Sequence, residues 1–141
     1  MAAKTIELTF EGYWKEQEVG KLPNKPGVYV VYEGVFDWAS NSIALIKSIY
    51  IGTAENINTA VINHDGWDSW REHCRIGTTI CFSFAPVDES DRDRVQAALV
   101  YRHKPPANSA GKDEFKYCQT TVQLSGKMAC LEEKFTVLQT D

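Results

Sequence analysis

Apolar and polar residues alternate over residues 5–14, where Ile6, Leu8 and Phe10 interleave with Thr5, Glu7 and Thr9, and this period of two predicts a half-buried strand. Two prolines and a glycine at 22–27 predict a turn. Val28, Val30 and Tyr32 then alternate with Tyr29 and Val31, a β-branched and aromatic run that predicts a buried strand. Residues 34–41 read as a loop. A strand returns over 43–51, with Ile49 and Ile51 on either side of Tyr50.

From residue 54 to 63 the period lengthens to that of a helix, with Ile57 and Val61 on a buried stripe and Asn56, Ala60 and His64 on a neighbouring one. His64-Asp65-Gly66 breaks it. A short helix follows over 67–75, with Trp70 and Cys74 inward and Arg71 outward, and Gly77 closes it. Trp67 and Trp70 read as core anchors, with stacking on bases as the alternative. Residues 78–87 predict a strand with Ile80, Phe82 and Phe84 on one face and Cys81, Ser83 and Ala85 on the other.

The acidic stretch 88–91 suits the positive end of a third helix. In it Val95, Ala98, Leu99 and Arg102 share one stripe, and Gln96, Val100 and His103 another. Lys104-Pro105-Pro106 ends it. Residues 109–116 read as mobile, and 117–125 and 128–139 as two strands around Gly126-Lys127. These elements predict one α/β (α+β) domain, a small, mostly antiparallel sheet flanked by helices with extra N- and C-terminal strands.

At 141 residues and 43% hydrophobic content the chain can bury a core without covalent staples. No apolar run reaches membrane-helix length and residues 1–4 open into polar alternation, so the reading is a cytoplasmic protein with no membrane partner. Cys74, Cys81, Cys118 and Cys130, spaced by 7, 37 and 12, form no Cys-x-x-Cys pair and read as reduced, mostly buried thiols. A net charge of −4 counts against a general nucleic-acid coat. It leaves room for a local groove, for which Arg71, Arg75, Arg102, His103 and Lys104 are the candidate cations.

Gly27-Val28-Tyr29 and Tyr50-Ile51-Gly52 place a tyrosine and a glycine on each of two neighbouring strands, and the run 96–108 ends in Lys-Pro and then Asn108. In this order the three segments resemble the GIY-YIG nuclease superfamily over roughly residues 22–108, leaving 1–21 and 109–141 as extensions. The resemblance implies hydrolysis of a nucleic-acid phosphodiester, DNA before RNA, with one Mg²⁺ or Mn²⁺. A tyrosine of the pair Tyr29/Tyr50 would accept the proton of the attacking water, which requires its pKa to be tuned downwards. Asn108 would brace the site, with Gly52, Arg71, Arg102 and Lys104 along the substrate. His64, four residues after the family's arginine position, matches a histidine of a restriction-enzyme-like branch, where it meets phosphate or manages a proton.

Two positions depart from the family. Its phosphate-binding arginine falls at Ala60 and its metal-binding glutamate at Gln96, so a guanidinium and a carboxylate are replaced by groups that cannot do their work. The chain therefore reads as a disabled nuclease that still binds nucleic acid but holds metal weakly or not at all. The preferred origin is a deliberate pair of replacements, of the kind that traps a nuclease on intact substrate while sparing the scaffold. The alternative is a natural pseudo-nuclease that binds nucleic acid, protein or a small ligand without catalysis. Motif order and helical phase predict that Tyr29, Tyr50, Ala60, His64, Gln96 and Asn108 line one concave surface.

Overall fold

The computed structural model describes residues 2–140; Met1 and Asp141 lie outside it. Nine elements follow in order: β1 (Lys4–Lys15), β2 (Gly27–Asp37), β3 (Ser42–Ala54), α1 (Ile57–Ile62), α2 (Trp67–Glu72), β4 (Thr79–Pro86), α3 (Glu89–His103), β5 (Thr120–Gly126) and β6 (Lys134–Val137), with a 3-10 turn at Glu16–Lys21. The strands form one curled sheet in the order β3-β2-β4-β1-β5-β6, antiparallel except where β1 runs alongside β5. This is the α+β architecture the pattern predicts. Among the described residues no helix is long and apolar enough to cross a membrane.

The N- and C-terminal extensions are part of this sheet. β1 changes partner midway: Lys4 to Phe10 pair with β5, and Glu11 to Lys15 pair with β4. The two halves of the sheet are thereby joined through one strand. Arg94 of α3 fastens the same seam, for its buried guanidinium donates to the Thr120 hydroxyl at 2.7 Å and to the carbonyls of Ala2, Cys118 and Gln119 at 3.0–3.2 Å.

Because strand side chains alternate between faces, the sheet carries two cores. Val28, Val30, Tyr32, Ile51, Cys81 and Ala85 pack with Val95, Ala98 and Leu99 of α3 on one face. Tyr29, Val31, Ile80, Phe82 and Phe84 pack with Ile57 and Val61 of α1 and Trp70 of α2 on the other. Trp70 is fully buried, and cutting such a side chain back to alanine costs ~3–5 kcal/mol. The two small helices are held by this burial, since six residues each are too few to be helical alone.

Several boundaries move. β2 runs on through Asp37, so the expected loop from 34 shrinks to Trp38–Asn41, because the hairpin ladder with β3 continues to Asp37 and Ser42. In β3 the register slips between Val31–Tyr50 and Tyr32–Ser48, leaving Ile49 as an extra residue. That bulge turns Ile49 into the core of Tyr29, whereas strict alternation would put it with Ile51. Residues 109–116 do not run loose: Phe115 is buried and exchanges bonds with Thr140, its N–H donating to the Thr140 hydroxyl oxygen and its carbonyl accepting the Thr140 N–H. Of the cysteines only Cys81 is buried; Cys74 and Cys118 are half-buried and Cys130 is exposed, since loops rather than core strands carry them.

Candidate functional site

Tyr29 and Tyr50 stand on adjacent strands with ring centroids 6.1 Å apart. Tyr29 lies across its neighbour strand: a Cβ added to Gly52 would fall 2.5 Å from the Tyr29 ring carbon Cζ and from its hydroxyl. The second glycine of the paired motifs is thus a space for the first tyrosine. Gly27 answers a similar need, since a side chain there would drive into the Ala85 carbonyl and the Phe84 ring of β4.

Tyr50 sits at the hub of an aromatic group, 5.3 Å from His64 and 5.6 Å from Trp70, with His64 and Trp70 stacked at 4.6 Å. His64 follows the Asn63 cap of α1 and makes a local bond, its Nδ1 accepting the Gly66 N–H at 2.8 Å, so the neutral ring carries its proton on Nε2. Burial pushes the His64 pKa down, against the opposing pull of Asp65. Trp67 donates from its indole to the Val61 carbonyl. Both tryptophans are core anchors.

The phenols are not prepared as bases. Burial, the charge of a Tyr50 phenolate and the Tyr50 side chain itself all raise the Tyr29 pKa. Burial raises that of Tyr50 as well, although Tyr29 partly offsets it. A phenol that takes a proton from water must be tuned downwards, whereas desolvation without a neighbouring cation drives both upwards.

Gln96 and Asn108 meet at the outer edge of β3. Asn108 is buried, accepts the Ile51 N–H at 2.9 Å and donates to the Ile51 carbonyl at 3.0 Å, while Gln96 Nε2 donates to the same carbonyl at 3.0 Å. A cavity of about 290 Å³ opens beside them, lined by Tyr50, Gln96, Ala97, Val100, Asn108 and the stretch Ser109 to Gly111. Tyr29, Ala60 and His64 do not line it. α3 covers the face of the sheet opposite Tyr29, so Gln96 reaches the edge from behind. The expected single concave surface is therefore two half-sites meeting at Tyr50. Ala60 lies half-buried on α1, one turn before His64.

The candidate cations do not form one positive face. Arg71 pairs with Glu16 and lies over Trp67 on the α2 side of the sheet. Arg102 pairs with Glu132 beside Phe135, and Lys104 donates to the Lys112 carbonyl while standing over Tyr101, both at the C-terminal end of α3. His103 is half-buried between the Leu99 carbonyl and the Glu132 N–H. Arg75 serves Glu33, a buried carboxylate that receives the Arg75 N–H at 2.7 Å and the Thr78 hydroxyl at 2.9 Å. Glutamates distant in sequence neutralise the three arginines, which one-dimensional spacing does not reveal.

The residues near Gln96 do not fit Mg²⁺, a hard ion that takes oxygen ligands and is usually held through a carboxylate. The Asn108 amide oxygen is taken by Ile51, the Gln96 amide nitrogen faces a carbonyl, and no carboxylate lines the cavity. Among the described residues no three His, Cys, Asp or Glu side chains are grouped to hold a metal. Compared with known protein families, curated proteins and solved structures, the chain gave no match.

Proposed function

We propose that this chain is a GIY-YIG-type domain that binds nucleic acid, DNA in preference to RNA, without cutting it. One observation carries the reading: the motif tyrosines Tyr29 and Tyr50 pair across β2 and β3 beside Gly52, while at the position of the family's glutamate Gln96 donates to the Ile51 carbonyl. An ionised glutamate has no proton to donate there. Gln96 is thus suited to its surroundings as an amide, which favours a binding domain over a nuclease awaiting its metal. Ala60 offers phosphate nothing, but Tyr50, half-exposed between the aromatic group and the cavity beside Asn108, gives a base a face to rest on. The same reading puts the protein in the cytoplasm, where free thiols such as Cys74, Cys81 and Cys130 stay reduced.

The experiment is a titration of labelled single- and double-stranded DNA and RNA of equal length at two salt concentrations, with Tyr50→Ala and the better-packed Tyr50→Phe as variants. Binding that weakens with salt and with loss of the Tyr50 ring is expected. Absence of binding at low salt would overturn the proposal and favour a protein or small-ligand partner.

A further inference from the structure

At the other end of the β2–β3 hairpin an exposed tryptophan stands against a half-buried phenylalanine. Trp38 is 80% exposed, and its ring meets that of Phe36 at 4.4 Å with an interplanar angle of 73°. Lys15 of β1 reaches over both, its ammonium 4.1 Å from the Phe36 centroid and 5.7 Å from that of Trp38. Both distances lie within the range of cation–π attraction. The rings are thus held upright beside a positive charge.

These three residues wall a cavity of about 210 Å³ whose remaining lining is Gln17, Gly77, Thr78 and Thr79. Lys15 is its only charged residue, and no carboxylate lines it although the chain carries a net charge of −4. No carboxylate of the described residues pairs with Lys15 as an ion pair, unlike Arg71, Arg75 and Arg102. Thr78 is occupied by Glu33 and the Arg75 carbonyl. The Gln17 amide and the Thr79 hydroxyl, both in the cavity lining, have no side-chain partner among the described residues, which leaves donors and acceptors for a ligand edge.

We propose that this cavity is a stacking site for an unpaired nucleobase of a single-stranded nucleic acid. Trp38 supplies the π-face, Lys15 the charge for the adjoining phosphate, and Gln17 and Thr79 hydrogen bonds to the base edge. Every base has a face to stack, whereas a duplex hides its faces between neighbours, so the site selects single strands. Phe36 is seven residues along β2 from Tyr29, or roughly 20 Å at the rise of a strand. The two sites are therefore separate. The proposal takes up the nucleic-acid reading above and narrows it to single strands, but it rests on different residues.

The test is fluorescence anisotropy with a labelled 20-nucleotide oligothymidylate and with a duplex of equal length, using the full chain and Trp38→Ala, Trp38→Phe, Lys15→Gln and Tyr50→Ala. Exposure of Trp38 means that its loss should leave circular dichroism and melting unchanged. We expect Trp38→Ala to weaken single-strand binding roughly tenfold, Trp38→Phe to recover most of it, and Lys15→Gln to flatten the salt dependence. Duplex binding should not respond to Trp38. If Trp38→Ala binds like the unaltered chain and only Tyr50→Ala loses affinity, the stacking site is refuted while the reading at the tyrosine pair stands. Dependence on Trp38 with indifference to Tyr50 supports the stacking site and refutes binding at the tyrosines. No binding of either oligonucleotide at low salt refutes both, and the exposed rings then belong to a protein contact.

Discussion

Asn108 completes the unpaired edge of Ile51, accepting its N–H at 2.9 Å and donating to its carbonyl at 3.0 Å, so that one side-chain amide takes the place a neighbouring strand would fill. β3 is the outermost strand of the sheet, and an open edge invites pairing with other chains. The Ala107 N–H, bonded to the Ile49 carbonyl, extends the cover by one step.

Asn108→Ala removes two hydrogen bonds and strands a buried N–H, while the Ile51 carbonyl keeps Gln96. Each lost bond is worth ~1 kcal/mol and the orphaned donor ~1–3 more, so the variant should lose about 3–5 kcal/mol in urea unfolding. A change under 1 kcal/mol would mean that water replaces the clamp.

Gln96→Glu sets an acceptor against an acceptor. The carboxyl must stay protonated to keep the bond to Ile51, which raises its folded pKa above the unfolded value of ~4.3. Such a group contributes fully below the unfolded pKa and loses its contribution as pH rises through the folded one. The variant should therefore match the unaltered chain at pH ~3 and be less stable by ~1–3 kcal/mol at pH 7. Equal stability at both pH values would show that the side chain swings away from Ile51.

Gly52→Ala puts a methyl carbon 2.5 Å from Tyr29 Cζ, and Tyr29 is buried with little room to retreat. Overpacking of this kind costs ~1–3 kcal/mol. Adding Tyr29→Leu should recover much of that loss, because the clash is with the ring; strict additivity in a double-mutant cycle would argue that the backbone rather than the ring demands the glycine.

Acid should weaken the fold in two stages. Burial lowers the pKa of His103, as it does for His64, so both favour the neutral ring, and their contribution is present above the unfolded value of ~6.5 and lost as pH falls through the folded values. Burial would raise Glu33, but the Arg75 N–H, the Thr78 hydroxyl and the Arg75 guanidinium together hold it below the usual range. Its contribution is lost lower, as pH falls from ~4.3 through its folded pKa. Unfolding midpoints measured from pH 7.5 to 3 should show both declines. Glu33→Gln should flatten the lower one and cost ~1.5–3 kcal/mol at pH 7, the worth of hydrogen bonds to a charged group.

The alternation of apolar residues was enough to place β1, β2, β4 and α3 and to say which of their side chains share a face, because period and burial are coupled through where each Cβ points. Gly27, Tyr29, Tyr50 and Gly52 were singled out by the paired segments Gly27-Val28-Tyr29 and Tyr50-Ile51-Gly52 and the order in which they resemble family motifs, not by alternation. Four things depended on residues far apart in sequence. The β3 bulge that turns Ile49 inward arises from register with β2. The joining of both extensions into one sheet arises from β1 pairing with β4 at one half and β5 at the other. Neutralisation of Arg71 by Glu16, Arg75 by Glu33 and Arg102 by Glu132 was decided by contacts across 55, 42 and 30 residues. The role of Gln96 was decided likewise, for a glutamine on a helix is only a good helix former until folding brings a carbonyl 45 residues away within reach of its amide. Local pattern determines which way a side chain faces; only the closed fold determines what it meets there.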